Sequence, residues 1–157
     1  MAPEKIHAVD TDVFAPCALG AVLNDDSIPE LRCAIIAGSA NNQLEADGHG
    51  EALRARGILY APDYVINAGG LISVSMELAG EDPHGAKAWA LVSQIGATLV
   101  EIFARAKADN VAPNVIADRI ARERIADRRR RVWKQGDGTA TLKRGGVACE
   151  ARRASSS

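Results

Sequence analysis

A chain of 157 residues, 47% of them hydrophobic, is long enough for one domain with a buried core. Its formal charge of −1 conceals a division: residues 118–153 hold 12 Lys/Arg against 5 Asp/Glu, and residues 1–117 hold 7 against 15. An aromatic content of 4% argues against a base-stacking surface for single-stranded nucleic acid. No apolar run reaches the roughly 18 residues that a membrane span needs, and the opening MAPEKIHAVD has no apolar signal region.

Cys17, Cys33 and Cys149 show no CxxC spacing. Cys17 and Cys33 lie in or beside apolar runs, which predicts buried, reduced thiols and a soluble, cytoplasmic chain.

In chain order, Val13–Ala15 reads as a first strand closed by Pro16, followed by a short helical turn over Leu19–Leu23 and a break at Asn24–Ser27. Ile28–Leu31 leads into a second strand, Cys33–Ala37, which stops at Gly38-Ser39-Ala40-Asn41-Asn42. The stretch from Leu44 to Arg56 has few apolar positions and predicts a short exposed helix with Gly57 as its C′ residue. Ile58–Tyr60 forms a third strand, Pro62-Asp63 a turn, and Tyr64–Ile66 a fourth extended piece. A helix begins near Leu71 and runs to Leu78. Ala88, Leu91, Ile95, Leu99, Ile102 and Ala106 recur at helical spacing within a long helix over 84–108. Pro113-Asn114 opens a last helix, with Ile116, Ile120 and Ile125 marking one face, and helical periodicity ends past Arg131.

The chemistry lies where strands stop. A buried parallel strand ending in small or amide residues offers backbone groups and short side chains to a ligand at its carboxyl end. Three such stops occur: Ala15–Ala21 (APCALGA), Gly38–Gln43 (GSANNQ) and Tyr64–Leu71 (YVINAGGL). Each has a plainer reading as a strand-to-helix turn, a helix cap or a tight glycine turn; together they predict one shared crevice. Side-chain amides at Asn41 and Asn42 need partners, which a carboxamide or carboxylate ligand supplies. Gly69-Gly70 is expected to allow close backbone approach beside an open helix N-terminus.

Other residue types point nowhere in particular. His7, His49 and His84 have no metal-ligand spacing, His49 being expected on a surface helix, so no metal site is predicted. Cys17 has no neighbouring His or Cys in sequence and reads as structural. Arg128–Arg131 reads as a solvated helix end, with binding to nucleic acid or an acidic partner as the alternative. No GxGxxG occurs among the 157 residues, so they hold no dinucleotide phosphate cradle of that kind.

From Asp12 to Gly70 the chain resembles the leucine, phenylalanine and valine dehydrogenases of the glutamate dehydrogenase superfamily, and leucine dehydrogenases most: DVFAPCALGAVLNDDSIPELRC, IAGSANNQL and GILYAPDYVINAGGLI carry the match. Weaker similarity runs to about Ile125 through ADRIARERI. The resemblance implies an α/β fold: the second half of a Rossmann-type, doubly wound, mainly parallel sheet, followed by C-terminal helices. Residues 1–131 would be the C-terminal part of an NAD-binding domain, and 132–157 a basic, Gly/Ser-rich, disordered tail.

The implied reaction is oxidative deamination of a branched-chain L-amino acid to a 2-oxo acid and ammonium, with NAD as cofactor. By the family pattern Cys17, Ala18, Ala40, Asn41 and Asn42 contact the cofactor, while Asn42, Leu71 and Val74 contact substrate. An apolar pocket separates side chains by only roughly 10–200-fold per methylene, so it sets a mild preference for leucine over phenylalanine. The resemblance also implies a homo-oligomer. The family's catalytic lysine and aspartate lie in an N-terminal substrate domain with no counterpart here, and Lys5, Lys87 and Lys107 match none of its lysine motifs. The expectation is a truncated chain without catalytic residues, inactive alone, with Met1 an internal or miscalled start. Its last helices, which in the family pack back towards the substrate domain, would expose an apolar face and favour self-association. Two rivals are a non-catalytic module that binds ligand or joins a dehydrogenase oligomer, and a protein acting through its basic tail.

Overall fold

A computed structural model describes residues 3–135. Three two-residue strands, β1 (Val13–Phe14), β2 (Ile35–Ile36) and β3 (Leu59–Tyr60), form a parallel sheet in sequence order. Val13, Ile35 and Leu59 are in register, as are Phe14, Ile36 and Tyr60. Strands alternate their faces, and here the two rows fare differently. Ile36 and Tyr60 are fully buried, whereas Val13, Ile35 and Leu59 keep 36–46% of their surface. The strands thus bury one face well and the other only in part.

The buried row joins Leu23, Ile28, Leu31, Cys33, Leu53 and Ile58 in the main core, with Phe14, Val22 and Leu44 packed against it. Each large aliphatic side chain fully buried there contributes about 1.5–3 kcal/mol. Parallel strands need crossovers. A 3-10 turn, Ile28–Glu30, lies in the first crossover, and α1 (His49–Ala55) in the second. Gly57 closes α1 at φ +72°, with Gly57 N–H bonded to Arg54 O and Ile58 N–H to Leu53 O. This is a Schellman stop with Ile58 and Leu53 in apolar contact, as its C″ and C3 residues should be.

Four further elements follow: α2 (Asp63–Ile66), α3 (Gly69–Leu78), α4 (Ala86–Asp109) and α5 (Pro113–Gln135). The predicted periodicity of α4 holds, since Ala88, Ile102 and Ala106 are buried and Leu91, Ile95 and Leu99 half-buried. Asn110 ends α4 at φ +54°, and Pro113 opens α5 at a position where its missing N–H costs nothing. Ile102, Ala106, Ile116, Ala117 and Ile120 make a second core, with Val65, Phe103 and Val111 beside it.

Four local expectations are corrected. Leu19–Leu23 is not helical: Ala21 adopts φ +55° and Leu23 bridges Leu44 in parallel. Tyr64–Ile66 is helical rather than extended, because Pro62 fixes the entry to α2 and its carbonyl accepts the N–H groups of Val65 and Ile66. The helix after Leu44 starts only at His49, and it is anchored by buried Leu53 and His49 rather than exposed. His49 Nδ1 accepts the Ala46 N–H and Nε2 meets Asp25, so this histidine holds a loop.

The chain divides into two units, Met1–Arg122 and Glu123–Ser157. Of the second, the described part is the continuation of α5, and residues 123–131 are all exposed. Ile125 is exposed, whereas Ile116 and Ile120 are buried in the first unit. Arg130 pairs with Asp127 one turn away. The predicted tail over 132–157 lies outside the described residues except for the end of α5.

Candidate functional site

The three strand stops meet. Gly38 presses against the first turn so closely that a Cβ there would sit 2.1 Å from Pro16 O and 2.4 Å from Pro16 N. Ala40 N–H donates to the same Pro16 carbonyl at 2.9 Å. On the far side of the first turn, Ala21 N–H donates to Asn42 O at 2.7 Å. A Cβ at Gly20 would lie 2.9 Å from Asn41 O and 3.0 Å from Asn42 O. Close approach between segments of the chain occurs at Gly20 and Gly38, while a Cβ at Gly69 or Gly70 meets nothing within 4 Å.

The third turn holds the second from both ends of α2. Asp63, the first residue of α2, is buried and accepts the Asn42 N–H at 2.6 Å through Oδ2. Its other oxygen accepts the Tyr60 hydroxyl at 2.9 Å. At the other end of α2, the Asn67 side-chain amide donates to Ser39 O at 3.3 Å and to Asn41 Oδ1 at 2.6 Å. Asn42 rests at φ +52°, a left-handed conformation that asparagine tolerates better than most residues.

Each residue singled out from the sequence now has a place. Cys17 and Ala18 are exposed on the first turn. The expectation of a buried Cys17 thiol is corrected, because Pro16 takes the inward position at the end of β1; Cys33 is the buried one. Hydrogen bonds from the Ser39 side chain and backbone hold the Cys17 thiol below the usual cysteine range. Ala40 is buried beneath the second turn, so it supports that turn from within. Asn41 and Asn42 are exposed, so their side chains face no desolvation cost and water can satisfy them, contrary to the expectation that they need a partner.

The buried amide of this turn is Gln43, a residue absent from the candidates drawn from the sequence. Its Nε2 donates to Gly38 O at 2.8 Å and to Ala40 O at 2.9 Å, tying the turn to itself from below. Its Oε1 is buried without a hydrogen-bond partner. No local signal in the sequence sets Gln43 apart from Asn41 and Asn42, since it directly precedes Leu44 and alternation would turn the two to opposite sides.

Leu71 and Val74 stand on α3 with Leu78, at helical spacing on one exposed face. No hydrogen bond among those described joins that face to the other candidate residues. A cavity of about 540 Å³ opens beside the first turn, with Phe14, Leu19, Ala21 and Ser27 in its wall. Among the described residues no group of three or more His, Cys, Asp or Glu side chains could hold a metal ion, and no helix is long and apolar enough to cross a membrane.

Fold and site together define a Rossmann-like α/β unit: a small parallel sheet whose strand ends converge on exposed amide and small residues. The family model for glutamate/leucine/phenylalanine/valine dehydrogenases matches residues 1–130, and the chain belongs to that family. It is 50% identical over 124 residues to leucine dehydrogenase of Bacillus cereus, a match that covers 79% of this chain and 33% of that protein. Identity to valine dehydrogenase of Streptomyces coelicolor is 52% over 126 residues, covering 80% of this chain and 34% of the relative. The crystal structure of L-tryptophan dehydrogenase from Nostoc punctiforme superimposes with a TM-score of 0.76 at 50% identity, over 82% of this chain and 38% of that one. The chain thus spans about a third of the length of the relatives it matches.

Proposed function

We propose that this chain is the nicotinamide-facing part of an NAD-dependent amino acid dehydrogenase of the leucine dehydrogenase type. In that reading its sheet is half of a doubly wound one, residues 1–131 belong to the cofactor domain, and 132–157 form a separate basic tail. The observation that carries it is the convergence of the Pro16, Gly38–Asn42 and Asp63–Asn67 segments through backbone and side-chain hydrogen bonds under 3 Å. A flat ring and its ribose need small residues and exposed donors on a rigid base. Cys17, Ala18, Asn41 and Asn42 supply these, and Ala40 and Gln43 stiffen the base from below.

Asn41 has a defined polarity. The Ser39 carbonyl only accepts, so the Asn67 atom that touches it is the amide nitrogen. That same nitrogen meets Asn41, so the Asn41 atom facing it is oxygen, and the Asn41 amino group is left as donor for a carbonyl, carboxylate or ribose oxygen. NAD, when bound, would supply the hydride acceptor. Asn42, Leu71 and Val74 would meet the amino acid, and the apolar pair suits a branched aliphatic side chain.

These 157 residues contain none of the family's lysine motifs, so positioning is present and acid–base chemistry is not. The chain by itself is then expected not to turn over substrate. It would act in the cytoplasm, joined to further dehydrogenase polypeptide or to a homo-oligomer. A second reading, a non-catalytic module that joins an intact dehydrogenase, is favoured by exposed Leu71, Val74 and Leu78 on one face of α3; co-purification with an intact dehydrogenase would support it.

The test is twofold. NADH formation from L-leucine at alkaline pH is measured beside the Bacillus cereus enzyme, and nicotinamide mononucleotide is titrated into the labelled chain by NMR. Binding that shifts Cys17, Asn41 and Asn42, without turnover, supports the proposal. Turnover would overturn the inactivity, and absence of binding would overturn the nicotinamide site.

A further inference from the structure

The carboxylate of Asp63 has no place in the ligand reading above, yet it is buried, both its oxygens are engaged, and it joins two strand ends. A buried carboxylate survives only where hydrogen bonds replace its water. Here one replacement is the backbone N–H of Asn42 at 2.6 Å, a short charge-assisted bond, and the other is the Tyr60 hydroxyl at 2.9 Å. The Tyr60 hydroxyl also accepts the Asp63 N–H at 3.2 Å, which closes a small ring of bonds at the end of β3.

We propose that Asp63 is a positioning residue for the Asn41–Asn42 turn, acting with Asn67 as a two-point clasp across α2. This inference rests on the nicotinamide reading of that turn. Asp63 pins the turn through the Asn42 backbone, which sits in the left-handed region, and Asn67 pins it through Ser39 O and Asn41 Oδ1. The first point sets the backbone direction at Asn42. The second turns the Asn41 amide so that its donor side remains for ligand. Neither residue touches the ligand in this arrangement; both act through the asparagines.

The clasp also explains why a four-residue helix stands between β3 and α3. One turn of helix carries the chain from Asp63 at its start to Asn67 just past its end, and both reach the same loop. An extended segment of equal length would carry these two residues apart by several more ångströms.

The experiment uses the whole chain labelled with ¹⁵N, and compares the native protein with Asp63→Asn, Asp63→Ala and Asn67→Ala. Two quantities are read: amide hydrogen exchange, and affinity for nicotinamide mononucleotide. Loss of a hydrogen bond to a charged group predicts about tenfold or more faster exchange at Asn42 in Asp63→Ala, with Ile36 and Ala61 unchanged. Asp63→Asn keeps an oxygen for the Asn42 N–H and is expected to recover part of that protection. Weaker nucleotide binding, by about tenfold in Asp63→Ala and less in Asp63→Asn, accompanies it.

Unchanged exchange at Asn42 in both Asp63 variants would overturn the clasp. Faster exchange with unaltered nucleotide binding would overturn its positioning role. Should the native chain bind no nucleotide while Asn42 exchange still responds as expected, the clasp stands and the nicotinamide reading falls. Asn67→Ala separates the two points, since it should loosen Asn41 and Ser39 while leaving the Asn42 amide protected.

Discussion

Gly38 and Pro16 are in backbone contact, and a β-carbon on Gly38 would lie 2.1 Å from the Pro16 carbonyl oxygen. No side-chain rotation relieves a clash with main chain. Gly38→Ala is therefore expected to destabilise the fold by about 1–3 kcal/mol or more, because β1 and β2 must part at the site. Gly96→Ala is the control: it lies inside α4 with nothing within 4 Å of a new Cβ, and should stabilise by about 0.5–1 kcal/mol. Urea unfolding of the two variants, read as opposite shifts in midpoint, checks the pair.

Cys17 is exposed with its thiol held below the ordinary range, first by the Ser39 side chain and then by the Ser39 backbone. Cys33 is buried, and desolvation pushes its thiol up. Thiolate is the reactive form, so Cys17 should alkylate at a lower pH than an ordinary cysteine, and Cys33 only on unfolding. Mass spectrometry of iodoacetamide adducts against pH, in a Cys149→Ser background, reads this directly. Ser39→Ala should move Cys17 labelling back towards ordinary cysteine pH. Equal labelling of both thiols in the native chain would contradict the burial assigned to them.

Tyr60 and Tyr64 both have hydroxyls pushed above the usual phenol range by burial, helped by the Asp63 and Asp118 carboxylates respectively. A folded-state value raised above the unfolded one stabilises the protein fully below the unfolded value, near 10 for tyrosine. That contribution falls as pH climbs from about 10 towards the folded values, since only the unfolded chain can then ionise. Thermal unfolding followed from pH 8 to 11 should show stability declining above pH 10. In Tyr60→Phe the decline should be shallower, on top of a constant cost of about 1–3 kcal/mol for leaving Asp63 Oδ1 buried without its partner.

Leu71, Val74 and Leu78 expose half or more of their surface along one face of α3. Such a stripe favours association at working concentrations. Leu71→Lys with Leu78→Lys should shift sedimentation towards monomer and leave stability to urea unfolding within about 0.5 kcal/mol, since neither residue supports the core. Undiminished association in the double variant would move the contact elsewhere.

Much of this was legible in the chain. Family membership was carried by contiguous motifs such as Ile36–Leu44 and Gly57–Ile72, and the three strands and the long helices α4 and α5 announced themselves by apolar runs and helical spacing. These are properties of local order, where each residue's neighbours in sequence are its neighbours in space. Gly57 and Pro113 were readable for the same reason, as backbone preferences at helix ends.

Tertiary structure decided which residues face inward at the site. Cys17 against Pro16, and Gln43 against Asn41 and Asn42, are choices between adjacent positions on a turn, and composition treats them alike. The choice fell to contacts between distant segments: Pro16 backed by Gly38, Gln43 bonded under its own loop, Asn42 drawn to Asp63 across 21 positions. Tyr64–Ile66 is likewise helical against the β-preference of those side chains, with Asp63 and Asn67 at its two ends bonded to one loop. Sequence order determined which elements form and that they end in a common region; long-range hydrogen bonds, which no local pattern encodes, determined the geometry of that region.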